Sequence, residues 1–352
     1  MSLQEQISLL KGVRVLDLSQ YIPGPYASLQ LAELGAQVIK VEVPGGDPMR
    51  SFGAKNGEVS AFYRHLNRGK KIVELNLKQE KGHKTLKDLL ASTNILLEGF
   101  RPGTLKRLGF GPEVFAEINP SLIVCSLSGF GADGPDAQRG GHDLGYSARA
   151  GLYSDLSVKA SLIFPPVADH VGALQALSTM LAALYKQEKT GLGCYLDMSL
   201  VEPVLAWQYL AESGADSRQI TGDAAYYNIY ATADKRWVTL AALEPKFWSV
   251  FCTAINKPEW IGREAEPMPQ TDLKAELDLL FIAQPLEHWQ AILDGVDCCF
   301  EPVPLVAEAD LLPHARARSL KNHFPGKIDG NVTPVLDEVK LLEPEDINWT
   351  NE

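Results

Sequence analysis

The 352-residue chain is 45% apolar and 22% charged, the balance of a globular protein with a large core, and its length suggests two domains. A formal net charge of −11 argues against a general partner of nucleic acid or anionic membrane, and leaves room only for a local basic groove for a phosphorylated ligand. The five cysteines (Cys125, Cys194, Cys252, Cys298, Cys299) have neither metal nor disulfide spacing. Reduced thiols, no metal site and a cytoplasmic location are therefore expected. No apolar run is read as a membrane span, and the start lacks the basic and apolar halves of a signal peptide.

Strand and helix alternate over the first hundred and thirty residues. "VRVLDLS" (13–19) is a short β-branched strand, "YASLQLAELG" (26–35) has helical spacing and a cap glycine, and "AQVIKVE" (36–42) is a second strand. That βαβ unit predicts a parallel sheet covered by helices. Strands are expected at 70–78, 93–100 and 121–131, and helices at 81–92 and 104–110. The turn "SQYIPGPYAS" is not G-x-G-x-x-G, and its two prolines remove donors, so a dinucleotide site there is disfavoured. Glu42 imitates a ribose-binding acid, although such an acid standing alone is more often just a solvated strand end. The basic groups Arg64, Arg68, Lys70, Lys71 and Arg101, Lys106, Arg107 stand near strand ends. They are read either as phosphate ligands at one rim of the sheet or as solvated surface.

Two segments carry candidate chemistry. In "RGGHDLGYSARAG" (139–151), His142 lies among glycines rather than on an apolar stripe, where the backbone bends freely and a ligand can approach. Asp169 opens a helix with apolar residues at Val171, Leu174, Leu177, Met180, Leu181 and Leu184. An N-cap role explains such an aspartate, and the helix dipole would keep it ionised, which suits a nucleophile or base as well.

The segments "GVRVLDLSQYIPGPYASLQLAELGAQVIKVE", "LNRGKKIVELNLK", "LLEGFRPGTLKRLGFGPE", "NPSLIVCSLSGFG", "GHDLGY" and "EKTGLGCYLDMSLVE" occur in this order. Together they resemble the family III CoA-transferases, the CaiB/BaiF family, which also includes α-methylacyl-CoA racemases. The resemblance runs from about residue 11 to about 325. It implies an α/β fold: a doubly wound parallel-sheet large domain (1–221 and 306–352) with a smaller inserted α+β domain (222–305), in an interlocked homodimer. The stretches "ALQALSTMLAALYKQEK" and "SLVEPVLAWQYLAES" are compatible with its long helical linkers.

The resemblance also assigns residues. "GHDLGY" matches the racemases' "GHDxNY" at His142, Asp143 and Tyr146, with Gly145 in place of asparagine. Asp169 matches the family's catalytic aspartate, and Glu244 in "LEPKFW" matches a racemase glutamate of the small domain. The transferases usually lack the histidine and carry a glycine-rich loop that 222–250 lacks. His142, Asp169 and Glu244 are thus the catalytic candidates for racemising a 2-methyl-branched acyl-CoA. CoA, as part of the substrate and not a permanent cofactor, is expected along Leu75, Asn76 and Leu77. Arg101 is expected near its phosphates, Gly141, Asp143 and Tyr146 near the thioester, and the Asp143 N–H as a donor to the enolate oxygen. A CoA-transferase working through an aspartyl-CoA intermediate, and a non-catalytic acyl-CoA-binding relative, are the alternatives. Two positions depart from the racemase pattern. Val43 replaces an arginine, for which Arg50 or Lys70 is a substitute, and a single glycine, Gly172, remains of the run after Asp169.

Overall fold

The computed structural model describes residues 9–154, 165–209, 217–309, 312–318 and 340–349. The chain divides into two compact units, Met1–Gln208 with Asn322–Glu352, and Tyr209–Lys321.

The first unit is built on a seven-stranded sheet. β1 (Arg14–Leu18) leads into α1 (Pro23–Glu33) and β2 (Gln37–Glu42). The helix begins three residues before its expected start, with Pro23 and Pro25 in its first turn. There the missing N–H groups have no intrahelical partner to lose, and the fixed φ is already helical. A short hairpin, β3 (Lys55–Asn56) and β4 (Val59–Ser60), precedes α2 (Ala61–Asn67), whose N-cap Ser60 accepts the Tyr63 N–H at 2.9 Å. Next come β5 (Lys71–Glu74), α3 (Glu80–Leu90), β6 (Ile95–Glu98), α4 (Thr104–Arg107), α5 (Pro112–Ile118) and β7 (Ile123–Ser128). The unit continues through α6 (Asp143–Arg149), α7 (Val167–Thr190), β8 (Cys194–Ser199) and α8 (Val201–Ala206), and β12 (Lys340–Leu342) returns to it.

The strand order is β12-β5-β2-β1-β6-β7-β8, and every pairing in it is parallel. The first strand is central, and the chain winds outward from it in both directions. This is the doubly wound α/β architecture, with its switch point between β1 and β6. Neighbouring residues of each strand feed opposite cores. Val15, Leu97 and Cys125 pack with Ala27, Leu31 and the Ala173–Ala176–Met180 face of α7, whereas Leu16, Leu96 and Val124 pack with Leu86, Leu90 and Phe115.

β8 was not anticipated as a strand. It is an edge strand of alternating burial rather than a fully buried run, and it carries no continuous apolar signal. Gly193 permits it: a Cβ there would sit 1.9 Å from the Leu122 carbonyl oxygen. Contrary to the expectation of no apolar run of membrane-spanning length, α7 is long and apolar enough to span a bilayer by length and composition. Its small residues cover the sheet. Of the stretch read as one helix over 199–213, α8 forms only Val201–Ala206, and residues 210–213 lie outside the described set.

The second unit holds an antiparallel sheet of β9 (Tyr227–Ala231), β10 (Trp237–Ala241) and β11 (Phe300–Val303), in the order β11-β10-β9. Helices α9 (Pro245–Ala254), α10 (Thr271–Ile282) and α11 (Leu286–Leu293) belong to this unit, and Trp248, Phe251, Phe281 and Trp289 fill its core.

Beneath the carboxyl ends of β1 and β2 lies a buried ionic network. Asp17, fully buried, accepts from Ser19 Oγ, from Ser28 Oγ at 2.5 Å and from Lys70 Nζ at 3.3 Å. Lys70 also donates to the Pro25 carbonyl at 2.9 Å and to Asn67 Oδ1 at 3.1 Å. Lys40 bridges the Ser19 carbonyl and Asp47 Oδ2, each at 2.9 Å. Burial alone would raise the Asp17 pKa, but Lys70, then Lys40 and the two serines, outweigh it and hold the carboxyl below its usual range. Burial brings Lys70 down to about 8 against the pull of Asp17. Three sequence readings are corrected here. Lys70 and Arg68 (paired with Glu33) are neither phosphate ligands nor solvated. Lys70 is not available to replace the arginine missing at Val43. Glu42 is not a solvated strand end: it is buried and accepts from Tyr63 Oη at 2.5 Å, Arg50 Nε at 2.7 Å and the Asp47 N–H at 3.1 Å.

Removing one partner of a buried pair strands the other charge. Lys70→Met is expected to cost about 3–5 kcal/mol, with much of it recovered in Asp17→Leu/Lys70→Met. Urea unfolding midpoints measure both, and a single-variant loss under about 1 kcal/mol would contradict an energetically coupled pair.

Candidate active site

A cleft of about 360 Å³ opens at the carboxyl ends of β1, β6 and β7, at the switch point where ligands of open parallel sheets bind. Its walls are the turn after β1 (Ser19–Tyr21), the turn after β6 (Gly99–Pro102), the end of β7, the loop 137–142, Tyr146, Asp169 and Leu200.

The β1 turn is packed tightly against α1. A Cβ on Gly24 would lie 2.1 Å from Ser19 Oγ, so only glycine fits. Tyr21 takes φ +65°, a left-handed conformation that costs a non-glycine residue on the order of 1–2 kcal/mol. Its ring meets the His142 imidazole edge-on, with centroids 5.8 Å apart at 77°.

His142 is the N-cap residue of α6, in extended conformation, and its carbonyl accepts from the N–H groups of Gly145 and Tyr146. Its side chain makes no capping bond and is exposed at the cleft. The glycines before it have a different use from the one expected. The Tyr146 ring lies between Gly129 and Gly141, where added Cβ atoms would approach it to 2.5 and 2.7 Å, and its hydroxyl donates to the Gly141 carbonyl at 2.7 Å. Gly140 leaves room for the Arg101 guanidinium, which a Cβ would meet at 2.8 Å.

Asp169 does not cap α7. The N-cap is Pro166, which puts Asp169 at the third helical position. Its N–H donates instead to Asp143 Oδ1 at 3.2 Å, so the carboxylate of α6 serves the first turn of α7. Nor is Asp169 held ionised. Burial, and secondarily the charge of Asp143, push its carboxyl up to about 7. Burial also raises the Tyr146 phenol, and the charge of Asp169 adds to this while Arg101 opposes it, which marks these three groups as neighbours. The cleft thus holds an exposed imidazole and a carboxyl brought to about 7, with a phenol and a guanidinium beside them.

Of the residues singled out in the sequence, His142, Asp169, Arg101, Gly141 and Tyr146 share this cleft, and Asp143 touches Asp169 from behind. Leu75, Asn76 and Leu77 do not line it. They follow β5, two strands from β1. The Leu75 and Leu77 side chains are buried in the core, and the three residues border two separate surface hollows. Glu244 is the exposed N-cap residue of α9 in the second unit. Gln20, Tyr21, Phe100 and Arg139 also line the cleft and were not anticipated. The signal for the first two is in "SQYIPGPYAS", which carries part of the family resemblance but was assigned no site residue.

The family model of CoA-transferase family III matches residues 10–337. The α-methylacyl-CoA racemase of Homo sapiens is 30% identical over 323 residues, covering 88% of this chain and 81% of that protein. The acetyl-CoA:oxalate CoA-transferase of Acetobacter aceti is 31% identical over 331 residues, covering 88% and 84%. A crystal structure of a CaiB/BaiF family protein from Brucella suis matches with TM-score 0.82 and 26% identity, over 96% of this chain and 97% of that one. A parallel sheet opening at its switch point onto acid–base groups, and a match that spans nearly the whole chain, place it in one family: the chain belongs to CoA-transferase family III and is an acyl-CoA enzyme of the racemase or CoA-transferase kind.

Proposed function

We propose that this enzyme inverts the carbon beside the thioester carbonyl of a 2-methyl-branched acyl-CoA, with His142 and Asp169 as its two bases. The observation that carries the proposal is the presence of both groups in one cleft, with Asp169 brought to about 7, where it both takes and returns a proton. One base removes the α-proton, and the electron pair passes to the carbonyl oxygen as an enolate. The other base, protonated beforehand, delivers its proton to the opposite face. The Asp143 N–H, in the first turn of α6 and without an intrahelical acceptor, is the donor offered to the enolate oxygen. Arg101 has no carboxylate partner among the described residues and is offered to the CoA phosphates, with Gly141 and Tyr146 beside the thioester. The backbone at Leu75, Asn76 and Leu77 is assigned to the far end of CoA. Glu244 is proposed to support the reaction from the second unit.

Transfer of CoA between two carboxylic acids is the second reading. It is favoured by the comparable identity to a CoA-transferase and by the fact that the Asp169 carboxylate suits attack on a thioester. His142 separates the two readings, because the anhydride route has no need of it.

Incubating 2-methylacyl-CoA in D2O with no added acid is expected to place deuterium at C2. His142→Ala should slow exchange from one enantiomer, and Asp169→Asn from the other, by roughly 10²–10⁴-fold. Since Asp169 is a base only when ionised, exchange of the enantiomer it deprotonates should climb as pH rises through about 7 and then level off. No deuterium uptake, together with acid-dependent CoA transfer that survives His142→Ala, would overturn the racemase reading. Tight CoA binding without any turnover would overturn both.

We also propose an interlocked homodimer. β8 is a sheet edge, and in it or near it in the chain Leu192, Tyr195, Leu205, Trp207 and Tyr209 are 49–61% exposed, apolar side chains that a partner chain would cover. Sedimentation at nanomolar concentration should show dimer or unfolded chain, and a folded monomer would contradict the interlocked assembly.

A further inference from the structure

We propose that Tyr21 is a positioning residue that orients the His142 imidazole, and that the buried Lys40–Asp47 pair holds Tyr21 in place. The proposal rests on the reading of His142 as a base.

The need is visible at His142. The imidazole is exposed at the head of α6, and among the described residues no hydrogen bond fixes it. A histidine that takes or gives a proton in a set direction has to be held by something. The structure offers the edge-on contact with Tyr21, centroids 5.8 Å apart at 77°.

That contact is set up by the backbone. Tyr21 has φ +65°, a conformation an aromatic residue adopts only when its surroundings impose it. Those surroundings are specific. The Asp47 carboxylate accepts the Tyr21 N–H at 3.4 Å and the Met49 N–H at 2.9 Å on Oδ1. Its other oxygen is paired with Lys40 at 2.9 Å, and Lys40 also holds the Ser19 carbonyl at 2.9 Å. The side chains of both charged residues are at most 1% exposed. Residues 19 to 21 are thus clamped at both ends by one buried ion pair, and the tyrosine ring is presented to the cleft.

The chemistry assigns the work to the ring rather than the phenol. The Tyr21 hydroxyl makes no hydrogen bond among the described residues. A glycine would accept φ +65° without strain but would leave the imidazole without its neighbour. Besides Tyr21 itself, the charged and titratable groups around His142 are Asp143 and Tyr146 on its own helix, Asp169 of α7, Arg101 after β6 and Arg139 of the adjoining loop. None of them changes in a Tyr21 variant.

The test compares Tyr21→Phe with Tyr21→Gly by two readouts. In protein with 13C-labelled histidine rings, assigned with His142→Ala, the wild type and Tyr21→Phe should share a ring-current shift at the His142 imidazole protons that Tyr21→Gly loses. In the exchange assay, Tyr21→Gly should slow the His142-dependent enantiomer by roughly tenfold or more and leave the Asp169-dependent one within about twofold. Tyr21→Phe should match the wild type on both. An unchanged imidazole spectrum in Tyr21→Gly would overturn the contact. An equal loss on both faces, or no loss on either, would overturn the positioning role. If the wild type exchanges no deuterium at all, the base assignment of His142 fails, while the imidazole spectrum still decides the contact.

Discussion

The interaction on which the rest depends is the buried ionic network under the carboxyl ends of β1 and β2. Asp17, Lys40, Asp47 and Lys70 all have almost no access to water. Taking such charges out of water costs several kcal/mol per ion, which is regained only where each is paired and hydrogen-bonded. Here each one is, and its partners include backbone groups: the Ser19 and Pro25 carbonyls and the Tyr21 and Met49 N–H groups. The network therefore does more than join charges. It determines the path of the strand-to-helix turn that forms one wall of the cleft.

The opposite wall follows a different logic. The segment from the end of β7 to Tyr146 depends on Gly129 and Gly141, which yield space to one ring, and α6 and α7 meet head to head through the Asp143 carboxylate and the Asp169 N–H. Burial in the cleft, and secondarily the nearby Asp143 carboxylate, raise the pKa of Asp169. A group so raised is poorly placed for stability and well placed for proton transfer, and this is where the fold accepts a local cost. Wall and carboxyls converge on His142, whose exposed ring would otherwise be free to turn.

How much of this was legible depended on the kind of signal. Parallel strands buried on both faces announce themselves as short apolar runs, so β1, β2, β6 and β7 were found within a few residues. β8 was missed because an edge strand of mixed burial looks like loop. Asp169 was found by its place in a motif, but its position in the helix was misjudged: the start of a helix is set by backbone angles, and Pro166 gave no side-chain signal. "RHLNRGKK" was misread for a reason that composition cannot reveal. A lysine is assumed to be solvated unless its partner is known, and Asp17 is 53 residues away. The left-handed Tyr21 was beyond reach for the same reason, since the restraints that impose it come from Asp47 and Lys40.

The most direct measurement of the central claim, that His142 and Asp169 flank a reacting acyl-CoA, is a crystal structure of the enzyme with a non-reactive 2-methylacyl-CoA thioether bound. The expected result is C2 of the acyl group lying between the imidazole and the Asp169 carboxyl, with Arg101 toward the phosphates. A CoA whose sulfur end lies outside the cleft, or an acyl group reached by Asp169 alone with His142 turned away, would contradict it.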